Sequence, residues 1–198
     1  MGVGAMPEVE ELRARFAGPV VAPGDASYDE VRRVHNGLVD KHPALIVRCA
    51  GAEDVVAAVR LGRDAGLEIS VRGGGHNVAG KAVTDGGVMI DLALLKQIEV
   101  DPGSRTITAG GGVTWGELNQ AAHAHGLATT GGLVSTTGIA GLTLGGGIGW
   151  LLGKHGLAID NLLSAEVVLA SGAVVQASQE SEPVSSGRFA AGAGTSVL

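Results

Sequence analysis

Val71-Arg72-Gly73-Gly74-Gly75-His76-Asn77 is the stretch on which the reading of this chain turns. An apolar run over 67–71 ends in an arginine, three consecutive glycines, a histidine and an asparagine. Backbone without side chains can turn its N–H groups inward and cradle an anion such as a diphosphate. The same residues also suit a tight turn between strands, and spacing alone weighs the two readings evenly. His76 differs from an ordinary lone histidine, which is usually structural. Its neighbours carry no side chains, so its ring can reach whatever the loop holds.

Working outward, the flanking sequence reads as α+β. Residues 44–47 (Ala-Leu-Ile-Val) are a compact apolar run, predicted as a buried strand. Residues 52–65 predict a helix with Val55, Val56, Val59 and Leu61 as its apolar positions, closed by Gly66 at the C′ position. With 67–71 as the next strand, strand, helix and strand form a βαβ unit whose strands run parallel. Residues 88–92 predict a further strand. Residues 98–100 and 106–109 flank the turn Asp101-Pro102-Gly103-Ser104 as a hairpin. Thr114 and Glu117 have the spacing of a capping box and open a helix running to Gly126. Residues 129–149 are a Gly/Thr/Ser-rich segment, and 162–170 with 174–175 form a closing hairpin around Ser171-Gly172. Ahead of all this, 1–26 predict a weak helix and a Gly/Pro loop, and 27–34 a short helix.

Glycine makes up 34 of 198 residues, more than twice the usual share of about 7%. The glycines cluster at 73–75, 110–112, 131–132 and 145–149 with no three-residue period, which excludes collagen. A chain that is 45% hydrophobic and 17% charged can bury a core and is not a disordered one. The net charge of −6 and the lack of dense Lys/Arg stretches argue against a nucleic-acid partner. No apolar run reaches the length of a spanning helix, so no membrane partner is expected. The acid-bearing first fifteen residues lack an apolar signal core, which makes a cytoplasmic protein the expectation.

Other chemistries fail on spacing. Gly75, Gly80 and Lys81 approach a phosphate-binding P-loop, but Ala82 stands where the magnesium-binding hydroxyl belongs and no helix pattern follows. Trp150 stands where the third glycine of a dinucleotide fingerprint is needed after Gly145 and Gly147. Cys49 is the lone cysteine, so no internal disulfide or Cys-based zinc site can form. His35, His42 and His155 have no acidic or Cys partner at ligand spacing, and His123 and His125 point to different faces of a helix. No metal site is expected. A G-x-S-x-G elbow is absent.

Arg72-Gly73-Gly74-Gly75-His76-Asn77 resembles the covalent flavin attachment motif of the vanillyl-alcohol oxidase / p-cresol methylhydroxylase flavoproteins, the nearest branch being the berberine bridge enzyme-like oxidases. Three further stretches agree: Val88-Met89-Ile90-Asp91-Leu92, the segment 131–149 followed by Lys154-His155-Gly156-Leu157-Ala158-Ile159-Asp160-Asn161, and Ala165-Glu166-Val167-Val168-Leu169-Ala170-Ser171-Gly172. The match covers about 40–178. It implies a PCMH-type FAD-binding domain of two α+β subdomains over 41–178: the βαβ unit first, then mainly antiparallel strands with helices. Residues 1–40 become an N-terminal extension with the first helix.

FAD is the implied cofactor, lying between the subdomains with its diphosphate on 73–77. By the resemblance, the cofactor-binding residues are Arg72, Gly73, Gly74, Gly75, His76, Asn77, Gly80, Gly132, Val134, Ser135, Thr136, Gly138, Gly141, Gly145, Gly149 and Val168. His76 is the implied attachment residue for the 8α-methyl of the isoalloxazine ring. Some family members carry a second bond from a cysteine; Val134 occupies that position here, so a single linkage is expected. The implied reaction is hydride transfer from an alcohol, sugar or amine-type carbon of a small-molecule substrate to FAD, then reoxidation by O2. No catalytic base can be assigned, since the family's substrate domain has no counterpart here and the only tyrosine, Tyr28, lies in an unrelated region. An FAD-binding fragment without turnover is the alternative, and a non-flavin nucleotide-binding module the third reading.

Residues 179–198 lose all periodicity and become Ser, Gly and Ala. The family continues at this point with a segment like L-F-W-A-V-R-G-G-G-G-N-F-G-V. Codons for 184–198 can be chosen so that a shifted frame reads that segment. The tail is therefore expected to be an aberrant, disordered one arising from a frame shift near Pro183, a naturally divergent C-terminus being the alternative. The gene is expected to encode the family segment in the alternate frame; nucleotide sequencing that finds no such frame removes the idea.

Overall fold

The computed structural model describes residues 8–178 and the backbone of 195–197. After helix α1 (Val9–Arg15), strand β1 (Val20–Val21) and the short helix α2 (Tyr28–Val31), the chain enters β2 (Leu45–Arg48), α3 (Ala52–Asp64), β3 (Ile69–Arg72) and β4 (Val88–Asp91). These strands form one sheet in the order β1-β2-β4-β3. β2 and β3 both run parallel to β4, while β1 is antiparallel to β2. The βαβ unit is as its sequence predicts, with one refinement: β4 slots between its two strands instead of opening the antiparallel half.

The reason lies in β4 itself. Val88, Met89, Ile90 and Asp91 are all buried, the pattern of a central parallel strand covered on both faces. Alternate residues go to opposite sides. Leu45, Val47, Val88 and Ile90 join Val55, Ala58 and Val59 of α3 on one face. Ile46 and Met89 join Val21, Tyr28, Val31 and Val83 on the other. Each such apolar side chain contributes roughly 1.5–3 kcal/mol when withdrawn from water.

A second sheet follows. β5 (Ile98–Asp101) and β6 (Thr106–Ala109) make the expected hairpin; β7 (Leu162–Val168) and β8 (Val174–Ser178) make the closing one, with Gly172 in the left-handed region at its turn. β9 (Thr195–Val197) pairs antiparallel with β6 and β7, giving the order β5-β6-β9-β7-β8. Those three residues are thus strand where the sequence predicts none; the rest of the 179–198 reading lies outside the described residues. The helix expected to reach Gly126 is α4 (Trp115–His123), its capping box closed by Glu117 on the Thr114 N–H at 2.7 Å. Trp115, Leu118 and Ala122 of α4 pack with Ile107, Ala109, Val113, Ile139 and Ala158. The Gly/Thr/Ser-rich segment holds a short helix, α5 (Ile139–Leu144), that its glycines conceal, and α6 (Leu152–His155) follows. Among the described residues no helix is long and apolar enough to cross a membrane.

At the C-terminal end of the parallel sheet Arg48, Asp91 and Arg72 are register partners on adjacent strands. Asp91 is fully buried. Its carboxylate accepts from Arg72 Nη2 at 2.7 Å, Arg72 Nε at 3.1 Å, Arg48 Nε at 3.1 Å and the Ala93 N–H at 3.0 Å. Removing one member of such a buried cluster strands the others in a poorly solvated place. Asp91→Ala is expected to cost about 3–5 kcal/mol, read as a lower midpoint in urea unfolding; a midpoint equal to the parent's would show the cluster to be dispensable.

Candidate functional site

β3 delivers the chain to the glycine loop. Arg72, its last residue, also donates through Nη1 to the carbonyls of Val31 and Arg33, so one guanidinium anchors the loop's entry and the segment after α2. Gly75 takes a φ of +71°, which excludes ordinary side chains there. None of the backbone N–H groups of 73–77 donates to an acceptor among the described residues. Gly73, Gly74, Gly75 and His76 are buried or half-buried, and backbone donors in such places are nearly always paired, so these four open ones mark a place prepared for an acceptor.

Across from the loop lies the segment entering α5. Thr114 and Gly138 form an isolated β-bridge, and Ile139 N–H donates to the Val113 carbonyl at 2.9 Å. Here the two halves of the molecule meet backbone to backbone: a Cβ on Gly74 would lie 2.2 Å from Gly138 N, and one on Gly138 would lie 2.3 Å from Gly74 N. Between them is a cleft of roughly 270 Å³, lined by Val71, Gly73, Gly74, Gly75, His76, Asn77 and Ala82 on one side and Thr137, Gly138, Gly141 and Leu142 on the other. That is near the lower limit of ligand pockets, about 300–1,000 Å³, so an extended ligand would continue beyond it. A Cβ on Gly141 would meet nothing within 4 Å.

His76 is held on three sides. Its Nε2 lies 2.9 Å from Thr136 Oγ1 and its Nδ1 3.2 Å from Thr137 Oγ1. The His35 ring stacks on it, centroids 3.9 Å apart and planes 13° from parallel. The His35 N–H donates to the Gly75 carbonyl at 3.0 Å. A hydroxyl can donate or accept, so the two threonines satisfy a neutral imidazole in either tautomer. Burial, and then the neighbouring His35, push the His76 pKa below its ordinary 6.5. Protonation is what the site disfavours, so at neutral pH the ring is uncharged and keeps a nitrogen lone pair.

The residues singled out by sequence divide on this geometry. Gly73, Gly74, Gly75, His76, Asn77, Gly138 and Gly141 line the cleft, and Thr136 holds His76. Arg72 anchors the loop through Asp91. Asn77 organises its own turn, accepting from the Gly80 N–H through its carbonyl and from the Lys81 N–H through Oδ1. Gly80 is a left-handed turn residue against Val39. Gly132 packs on the Trp115 ring, and Gly149 lies against the Gly131 carbonyl. Gly145 ends α5, and the Ser135 carbonyl accepts from the Gly116 N–H. The Val134 side chain is half exposed; Val168 is fully buried in the first sheet's core and pairs with Val174 of β8. Sequence reading missed Thr137, Leu142, Ala82 and His35. Thr137 had a usable signal, its adjacency to Thr136. His35 had none, being a lone histidine some forty residues from its partner.

These features fit a flavin dinucleotide: open backbone donors for a diphosphate, glycine surfaces that let a flat group approach, and a neutral imidazole beside them. The comparisons agree. Residues 43–178 match the family described as FAD binding domain. (R)-6-hydroxynicotine oxidase of Paenarthrobacter nicotinovorans is 43% identical over 166 residues, covering 84% of this chain and 36% of that protein. The solved BBE-like 1 of Physcomitrella patens superposes with a TM-score of 0.89 at 26% identity, over 96% of this chain and 44% of that one. Glucooligosaccharide oxidase of Acremonium strictum, whose FAD carries 6-S-cysteinyl and 8α-N1-histidyl bonds, superposes with a TM-score of 0.87 at 30% identity, over 96% of this chain and 42% of that one. The chain thus spans less than half the length of these relatives. With that match over most of its length, it belongs to the FAD-binding-domain oxidoreductases of the PCMH type, in the berberine bridge enzyme-like group.

Proposed function

We propose that this chain holds FAD in the cleft between its two sheets, with the diphosphate on the open N–H groups of 73–77 and the isoalloxazine ring bonded through its 8α carbon to His76. The observation that carries the reading is the His76 imidazole. It is uncharged and oriented by two threonine hydroxyls, at the end of a loop whose backbone donors are unspent. Arg72 fixes the entry to that loop, and Gly74 and Gly138 bring the second half of the molecule close enough to cover it. Thr136 and Thr137 hold the two ring nitrogens, while burial and His35 disfavour protonation of the imidazole. Bound FAD supplies a two-electron acceptor that O2 can reoxidise; the redox chemistry is the cofactor's. The proposed reaction, in the protein of which this domain forms part, is hydride transfer from an alcohol, sugar or amine-type carbon. With valine at position 134, one covalent bond is proposed, not two.

One observation favours the second reading, an FAD-holding fragment without turnover. Apart from His76, the cleft lining contains no group that titrates near neutrality: no carboxylate, tyrosine or lysine. A substrate proton would have to be taken by a group beyond that lining.

Purified protein tests both. Yellow colour that survives acid precipitation and is lost in His76→Ala is the expected result, and a colourless folded protein would sink both readings. Bleaching by an alcohol, sugar or amine marks turnover, and colour without bleaching marks the fragment. A glycine pair tests the cleft independently. Gly141→Ala enters open space on a helix and is expected to leave thermal stability unchanged or raise it by about 0.5–1 kcal/mol, while weakening FAD binding. Gly138→Ala drives a methyl into the Gly74 backbone and is expected to cost about 1–3 kcal/mol of stability. Equal melting temperatures for the two variants would contradict the close approach.

A further inference from the structure

Among the described residues His35 is the one aromatic group laid flat on the proposed attachment residue, and a chain of contacts puts it there. The buried Asp91 carboxylate orients Arg72, and Arg72 in turn holds the carbonyls of Val31 and Arg33. Two residues further on, the His35 N–H donates to the carbonyl of Gly75, next to His76. The rings then stack at 3.9 Å with a 13° tilt. The hydroxyls of Thr136 and Thr137 hold the ring nitrogens of His76, but hydroxyls rotate and swap roles, so two such contacts leave the ring free to tilt about the line joining them. A flat partner on one face removes that freedom. His35 itself is exposed and buries little apolar surface.

We infer that His35 is a positioning residue for covalent flavin attachment: by stacking on His76 and tying to Gly75 it fixes the imidazole plane, so that a ring nitrogen is presented in one direction for bond formation. The inference rests on the covalent reading above. In the step it serves, an N–C bond forms between His76 and the 8α carbon. One C–H bond of the 8α-methyl and the N–H bond of His76 are broken. The two electrons released pass to the flavin ring, and O2 removes them, with the two protons, as hydrogen peroxide. His35 takes no part in that exchange. A restrained nucleophile gains rate through orientation, and a planar ring of any kind in its place should supply the same restraint.

The test uses the chain produced flavin-free, in a riboflavin-requiring host starved of riboflavin, and then mixed with FAD in air. The flavin that stays with the protein through acid precipitation is measured over time for the parent, His35→Ala and His35→Phe, with His76→Ala as the zero. His35→Ala is expected to slow attachment at least about tenfold, with reversible FAD affinity and melting temperature near the parent's. His35→Phe, which restores a flat ring but no titratable group, is expected to recover attachment to within about threefold of the parent. In the flavin-free chain, the ring-proton NMR resonances of His76 are expected to lose a ring-current shift in His35→Ala and keep one in His35→Phe. A His35→Ala rate equal to the parent's overturns the inference while leaving covalent attachment standing. So does a His35→Phe protein as slow as His35→Ala. A parent that binds FAD but releases all of it in acid overturns the covalent reading and this inference with it.

Discussion

A carboxylate with no access to water needs positive partners, and Asp91 has two arginines on either side of it in the same rung of the sheet. This rung depends on the strand order. Were β2 and β3 neighbours, as a bare βαβ unit would place them, Arg48 and Arg72 would face each other and like charges would oppose across the pair. With β4 inserted, Asp91 stands between them and each arginine meets it. The bidentate geometry on Arg72 adds direction as well as attraction. From that fixed guanidinium the remaining donors reach the chain after α2, and from the same residue the glycine loop departs. One buried charge thus sets the position of both segments that hold His76.

The seam between the sheets works by the opposite means. Among the described residues no charged side chain lines the cleft there; Gly74 and Gly138 face each other, and neither has room for a side chain. Residues that line the cleft are glycine, alanine, valine, leucine, threonine, asparagine and one histidine. A chain of net charge −6 can still welcome a diphosphate here. The acidic residues lie elsewhere, and aligned N–H groups act over a few ångströms where solvent screens distant charge. Local backbone dipoles decide the sign of the site, and the overall charge does not.

Much of this was legible in the sequence, and the reasons differ by element. The parallel strands, α3 with its left-handed Gly66, the capping box at Thr114 and both hairpins follow from apolar runs and turn residues that local rules read well. The glycine loop that ends in His76 was legible because its residues are contiguous. What escaped depends on contacts between distant segments. The place of β4 is a matter of sheet order, which no window of sequence contains. α5 is hidden because Gly141 inside it is a poor helix residue intrinsically and Gly138 and Gly145 flank it closely, while Ile139, Ala140 and Thr143 are buried. Gly132, one of the glycines expected to meet the cofactor, also relieves packing, since Trp115 and Leu142 leave little room for a side chain there.

The same geometry argues for a division of labour in the reaction. A ring nitrogen that has bonded to carbon no longer offers its lone pair, and the other nitrogen of His76 remains within reach of a threonine hydroxyl. His76 would therefore be spent on holding and tuning the cofactor. Its depressed pKa points the same way, because a ring that disfavours protonation keeps its lone pair available for bonding and is a poor proton store. With no carboxylate or tyrosine on the cleft wall, the proposed reaction would need a substrate's proton and specificity to be handled from outside that wall. On the proposed reading, a domain built this way would grip one constant ligand through backbone, and the identity of the substrate could change without disturbing the cradle.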